Sequence, residues 1–137
     1  MDIPHDRQAV GHSDADVLLH AVTDAVLGAA ALGDIGQLFP DTDESNAGRD
    51  SAEMLQLAYD RVQAAGLAVI NVDCIVFAER PKLAPYATAI QQRIAGLLRI
   101  PPDCVGVKAK TSERLGLIGD ELAISAQCVA LLQKDDE

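Results

Sequence analysis

One segment constrains the fold more than any other: a run rich in alanine and leucine at residues 15–32. Ser13 or Asp14 can cap the N-terminus of a helix there, and Gly33 follows where helices often end in a left-handed residue. Asp24 interrupts the run, and no stretch is apolar over the roughly 18 residues that a membrane-spanning helix needs. The segment therefore predicts a core helix, and we expect no membrane partner.

The remainder of the chain alternates between helix and strand patterns. Asp50 and Glu53 have capping-box spacing at the start of a second predicted helix, which ends before Gly66. Its predicted apolar stripe consists of Met54, Leu57, Ala58, Arg61 and Val62. Strands are predicted at residues 67–78 and 104–111, a helix at 87–98 and a long loop at 34–48. Residues 122–133 fit either a strand or a helix.

The length and charge of the chain limit its organisation and its partners. With 137 residues it can form one domain with a real core, so we expect a single domain over residues 1–137 in an α/β or α+β layer arrangement. The formal charge of −10 argues against a sequence-independent nucleic-acid binder, and we expect no nucleic-acid partner. The first residues have no basic and apolar pattern of a secretory signal, so a cytoplasmic location is expected.

The sequence contains three cysteines, at positions 74, 104 and 128, and none of them belongs to a Cys-x-x-Cys motif. This pattern fits neither a disulfide framework nor a thiolate zinc site. We interpret Cys74, Cys104 and Cys128 as small apolar side chains of a protein in a reducing cytosol.

Two histidines are candidates for chemistry. His20 has Asp16 four residues before it and Asp24 four residues after it, which places all three on one helical face. A neutral imidazole can bind zinc, and a neighbouring carboxylate can fix its tautomer. A surface histidine paired with carboxylates explains the same spacing. His12 precedes the predicted helix start, where free N–H groups attract phosphate, although such a loop histidine is also commonplace.

Two polar segments complete the candidate site. Residues 33–43 combine acidic side chains with glycine and proline, which suits hydroxyl binding or metal contact, or simply a solvated loop. The second segment contains Lys108, Lys110, Thr111, Ser112, Glu113 and Arg114. Its lysine and threonine side chains can face phosphate oxygens, and Glu113 can hold magnesium, although an ordinary charged edge strand gives the same pattern.

These motifs, taken in order, resemble a known family. They are HSDADVLLHA at residues 12–21, TDA at 23–25, GDIG at 33–36, FPDTD at 39–43, NVD at 71–73, PKL at 81–83 and KAKTSERLG at 108–116. The chain is similar over residues 11–117 to the 2-C-methyl-D-erythritol 2,4-cyclodiphosphate synthases. The resemblance implies an α+β fold, with a single-layer sheet packed against helices, and a homotrimer whose sheets face the three-fold axis. It also indicates that residues 122–133 form a strand.

The resemblance implies a reaction and its cofactors. The family converts 4-diphosphocytidyl-2-C-methyl-D-erythritol 2-phosphate into the cyclic diphosphate and releases CMP, in non-mevalonate isoprenoid biosynthesis. The small-molecule partner is thus a cytidine diphosphate substrate. The implied cofactors are Zn²⁺ or another divalent transition metal, together with Mg²⁺ or Mn²⁺.

Residue roles follow from the same resemblance. His20 would bind zinc and Glu113 would bind magnesium, while His12 and Thr111 would act on the transition state as catalytic residues. The substrate-binding set comprises His12, Ser13, Asp34, Ile35, Gly36, Phe39, Pro40, Asp41, Thr42, Asp43, Lys110, Thr111, Ser112, Glu113 and Leu117. The cytidine pocket of the neighbouring subunit would contain Ala78, Pro81, Lys82, Leu83 and Ala84.

The chain also departs from the family pattern. Relatives carry two zinc ligands in an Asp-x-His motif on a first strand, and this sequence contains no Asp-x-His. We therefore expect an N-terminally shortened domain, less stable than a full-length relative and with an incomplete zinc site. Relatives usually have Phe, Arg and Glu where Leu117, Asp120 and Leu122 stand, which makes regulation through a central cavity less credible. The alternatives are a non-catalytic homologue that folds and trimerises, and a metal-independent phosphate- or nucleotide-binding module.

Overall fold

A computed structural model describes residues 8–40, 50–77, 86–110 and 125–134. The helices are α1 (Gln8–Ala29), α2 (Ile35–Leu38), α3 (Ser51–Ala64) and α4 (Ala87–Leu98), and a 3₁₀ turn spans Pro102–Cys104. The strands are β1 (Leu67–Phe77), β2 (Val105–Lys110) and β3 (Ser125–Lys134). The predicted strand at residues 67–78 and the predicted helix at 87–98 are confirmed, and β3 confirms the strand that the resemblance indicated.

The start of α1 differs from the prediction. The helix begins at Gln8, so His12, Ser13 and Asp14 lie inside it rather than before it. Residues 8–10 are Gln, Ala and Val, which a helix accepts, and one glycine at position 11 costs only about 1 kcal/mol. Helical propensity over this segment therefore outweighs the capping preference of Ser13 and Asp14.

The end of α1 also differs in detail. Ala31 takes the left-handed conformation, with φ of 59°, and the Leu32 N–H donates to the Leu27 carbonyl at 2.9 Å. This hydrogen bond is the one that defines a Schellman motif at the C-terminal end of α1. Gly33 is left-handed as predicted, with φ of 97°, but it forms the next turn, where a Cβ would collide with the Gln37 side chain.

The three described strands form one mixed sheet in the order β2-β1-β3. β1 runs parallel to β2 and antiparallel to β3, with Cys74 opposite both Val107 and Cys128. A register shift between Val69 and Asn71 marks an irregularity on β1. The mixed sheet with helices on it establishes the α+β class.

The helices cover one face of this sheet. β1 contributes the buried residues Val72, Cys74 and Val76, and alternate residues of β3 pack against the same core. On the other face, Val129 and Leu131 remain 72% and 55% exposed, and Lys108 Nζ contacts Asp73 Oδ2 at 3.0 Å. Within the described ranges, the second face of the sheet is therefore left open.

The buried stripe of α3 differs from the predicted one. The buried residues are Ser51, Ala52, Leu55, Ala58, Tyr59 and Val62. Leu57 is 38% exposed and Arg61 is exposed, whereas Leu55 and Tyr59 face the core. The prediction placed the stripe one position away because Met54 and Leu57 look as apolar as Leu55, and only packing decides between them.

None of the helices in the described ranges combines the length and the apolar character needed to cross a membrane.

Candidate active site

His20 lies on the polar side of α1 and reaches the start of α3. Its Nε2 atom is 3.0 Å from the hydroxyl oxygen of Ser51, a side chain with only 6% of its surface exposed. Ser51 directly follows Asp50, whose carboxylate accepts the Ala52 N–H at 3.2 Å and caps α3. The cap fixes the position of Ser51, and Ser51 in turn orients the imidazole.

Asp24 lies one helical turn after His20. Its Oδ1 atom accepts the backbone N–H of Ile35 at 2.7 Å, across the turn that follows α1. Asp24 therefore joins α1 to the start of the next segment. The helical face predicted from the spacing of Asp16, His20 and Asp24 is confirmed, because all three residues lie on α1 and are exposed.

Asp34 begins the short helix α2. Its Oδ1 atom accepts the Gln37 N–H at 2.8 Å, so one carboxylate oxygen caps the helix. Asp24 and Asp34 thus accept hydrogen bonds from two of the N–H groups at the start of α2, which carry partial positive charge. The predicted segment Asp34, Ile35 and Gly36 is therefore tied by two carboxylate hydrogen bonds to α1 and to the start of α2.

Phe39 and Pro40 follow α2 directly. Phe39 is its C-terminal cap, and its N–H donates to the Ile35 carbonyl at 2.8 Å. The two residues therefore continue from the same anchored turn as Asp34.

The other predicted residues fall into two groups. His12 and Ser13 lie on α1 near its beginning, at the fifth and sixth helical positions, so the argument from a free helix N-terminus does not apply to His12. Lys110 is the exposed last residue of β2. The remainder lie outside the described residues: Asp41, Thr42, Asp43, Ala78, Pro81, Lys82, Leu83, Ala84, Thr111, Ser112, Glu113 and Leu117.

The described residues do not make a complete metal site. Across these ranges, no group of three or more His, Cys, Asp or Glu side chains is placed to hold an ion. A catalytic zinc normally has three protein ligands, so His20 supplies at most one of them.

Sequence reasoning missed Ser51. It lies 31 residues from His20, and nothing in the spacing of either residue predicts that α1 and α3 bring them together. The only local signal is its position directly after the helix cap Asp50.

The fold is that of a known class of α+β enzyme. The sequence model of the YgbB family matches residues 1–133. A 2-C-methyl-D-erythritol 2,4-cyclodiphosphate synthase of Dechloromonas aromatica is 52% identical over 134 residues, which are 98% of this chain and 84% of that relative.

Solved structures agree with this match. The bifunctional IspDF of Campylobacter jejuni superposes with a TM-score of 0.84 and 43% identity, covering 88% of this chain and 32% of that chain. A CDP-bound 2C-methyl-D-erythritol-2,4-cyclodiphosphate synthase gives a TM-score of 0.77 and 39% identity, covering 84% and 74%. The chain therefore belongs to the YgbB family, the 2-C-methyl-D-erythritol 2,4-cyclodiphosphate synthases, which are lyases of non-mevalonate isoprenoid biosynthesis.

Proposed function

We propose that this chain converts 4-diphosphocytidyl-2-C-methyl-D-erythritol 2-phosphate into the 2,4-cyclodiphosphate and releases CMP. The observation that carries the proposal is the pair of anchors on α1, His20 to Ser51 and Asp24 to Ile35, in a chain similar to a CDP-bound synthase. These two hydrogen bonds fix the His20 imidazole and the Asp24 carboxylate, which lie one helical turn apart on α1.

The reaction asks mainly for positioning. The 2-phosphate of the substrate attacks the β-phosphorus of its own diphosphate, and the bond to the CMP phosphate breaks. Because nucleophile and electrophile belong to one molecule, the enzyme must hold the chain of the substrate bent and balance its charge. The chain itself carries a net charge of −10, so cations and lysines are needed near the phosphates.

Roles for the residues follow from this requirement. The Asp34 carboxylate and the Ile35–Gly36 backbone would hold the methylerythritol hydroxyls, and Phe39 to Asp43 would continue that contact. Lys110, Thr111 and Ser112 would face the phosphates together with His12 and Ser13, and His12 and Thr111 would steady the transition state. Leu117 would complete the substrate-binding set.

The metals are part of the same proposal. Glu113 would hold Mg²⁺ or Mn²⁺ on the diphosphate, and His20 would bind Zn²⁺ or another divalent transition metal. When bound, such ions neutralise phosphate charge and orient the leaving group. Since the described residues give His20 no further ligand, we assign no step of the reaction to zinc.

The proposed assembly is a homotrimer whose sheets face the three-fold axis. The open face of the sheet, with Val129 and Leu131 exposed, supports a buried location in an assembly. In that arrangement Ala78, Pro81, Lys82, Leu83 and Ala84 of one subunit would form the cytidine pocket beside its neighbour's site. Light scattering on the purified chain would give three times the monomer mass, whereas a monomer would contradict the assembly. The proposed location is the bacterial cytoplasm.

The alternative is a non-catalytic homologue, and one observation favours it. The 137 residues contain no Asp-x-His motif. The test is CMP release from the diphosphocytidyl substrate by the purified chain, with zinc and magnesium, beside a full-length relative. Turnover within about tenfold of the relative supports the enzyme, and a folded trimer without CMP release supports the alternative.

A further inference from the structure

Cys74 and Cys128 face each other across two antiparallel strands. They are direct partners in the register of β1 and β3, and their sulfur atoms are 3.6 Å apart. Neither spacing nor composition predicted this contact, because 54 residues separate the two cysteines along the chain. Both side chains point to the face of the sheet that α1 covers, with Cys74 fully buried and Cys128 half-buried.

A disulfide is within reach of this geometry. A disulfide has an S–S bond of about 2.05 Å and Cβ atoms about 3.5–4.5 Å apart. Directly opposite residues of antiparallel strands have Cβ atoms about 4.5–5.5 Å apart, so the strands need to approach only slightly. β3 lies at one end of the three described strands, where such an adjustment is easiest.

Cys128 can also be reached from outside. An open groove of about 520 Å³ runs between α1 and β3, and it is lined by Ala21, Asp24 and Ala25 on one side and residues 126–129 on the other. Two of the three α1 side chains are alanines, which leaves room for a small oxidant beside the Cys128 sulfur. Cys74 lies behind it and is not exposed.

We propose that Cys74 and Cys128 form a redox site, oxidised to a cross-strand disulfide by a small hydroperoxide such as hydrogen peroxide and reduced again by thiol–disulfide exchange with a dithiol. The Cys128 sulfur, as thiolate, attacks one peroxide oxygen, the O–O bond breaks, and the departing hydroxide takes a proton to become water. The Cys74 sulfur then attacks the Cys128 sulfenic acid, and the S–O bond breaks as a second water leaves with the Cys74 proton. The dithiol loses two electrons, and the peroxide gains them.

The groups around Cys128 determine how the rate of its oxidation depends on pH. The hydrogen bond with Cys74, burial and the negative charge of Asp73 raise the pKa of the Cys128 thiol, and Asp24 across the groove adds a further negative charge. The thiolate is the reactive form, so oxidation is slow at neutral pH and becomes faster as the pH rises. The disulfide step itself remains fast because the second sulfur is already in contact.

The test uses the full wild-type chain and its third cysteine as internal control. The chain is treated with hydrogen peroxide between pH 7 and pH 9, remaining thiols are alkylated, and the peptides are identified by mass spectrometry. We expect one linked pair, Cys74 with Cys128, and an alkylated Cys104. The link should disappear with dithiothreitol, form faster at pH 9, and raise Tm by on the order of 10 °C, since it closes a long loop of the unfolded chain.

Cysteine variants test the same pairing, and three results would contradict it. Cys104→Ser should keep the link, whereas Cys74→Ser and Cys128→Ser should each remove it. Oxidation of Cys104 while Cys74 and Cys128 stay alkylated would overturn the proposal. So would Cys128 sulfinic acid without a linked peptide, or disulfides formed only between chains. Because the wild-type chain is measured, none of these outcomes depends on a variant folding, and none depends on the proposed catalytic function.

Discussion

The two sides of α1 serve different purposes. One side carries Leu18, Val22 and Val26, each fully buried against α3 and the sheet. The other side carries His20 and Asp24, both exposed, with contacts to Ser51 and Ile35 at the starts of two other helices. The difference teaches that stability and site geometry depend on separate residues of one helix, although both depend on its position.

The largest expected effect is on the buried side. Leu18→Ala removes a fully buried side chain, and we expect a loss of about 2–5 kcal/mol in the free energy of unfolding because a cavity remains. Urea denaturation measures it, with Leu57→Ala, which is 38% exposed in the wild type, as the control. Equal losses for the two variants would show that α1 does not anchor the core as described.

A smaller effect is expected on the exposed side. Asp24→Asn weakens the charge-assisted hydrogen bond to the Ile35 N–H and should cost about 1 kcal/mol of stability. The turn that carries Asp34 should also lose its fixed position. We therefore expect the rate of CMP release to fall further than the small loss in the free energy of unfolding would explain. Asp60→Asn is the matched control, because the exposed Asp60 pairs with the exposed Arg99 at 3.6 Å. If both variants lower CMP release equally, the anchoring role of Asp24 is wrong.

The smallest effect is expected at the boundary between the two sides. Thr23 is fully buried, and its hydroxyl donates to the Leu19 carbonyl at 2.7 Å inside α1. Thr23→Val keeps the shape and removes only this local bond, so we expect a change of less than about 1 kcal/mol and unchanged CMP release. A loss comparable to that of Leu18→Ala would mean that the hydroxyl has a further structural role.

The sequence predicted the elements that local chemistry defines. α4 agrees with the predicted helix at both ends, because Pro101 follows it closely and the apolar spacing is regular. β1 agrees because Gly66, with φ of 81°, forms the turn that separates it from α3. Motif order also identified the family without any structural information.

The remainder depends on contacts between distant segments. α1 begins earlier than predicted, since propensity and capping compete there, and the buried stripe of α3 differs in part from the predicted one because several positions are equally apolar. The His20–Ser51 contact and the opposition of Cys74 and Cys128 arise only when the helices and strands pack. Spacing along one segment cannot reveal either of them.

The most direct test of the two-sided account of α1 is the variant His20→Gln, with Gln92→Ala on the exposed side of α4 as control. Zinc bound per chain, CMP release and Tm would be measured together for both variants and the wild type. The account predicts that His20→Gln binds less zinc and releases CMP more slowly than the wild type, because the proposed metal ligand is lost, while Tm remains that of the control. Retention of zinc and CMP release, or a Tm loss as large as that of Leu18→Ala, would contradict it.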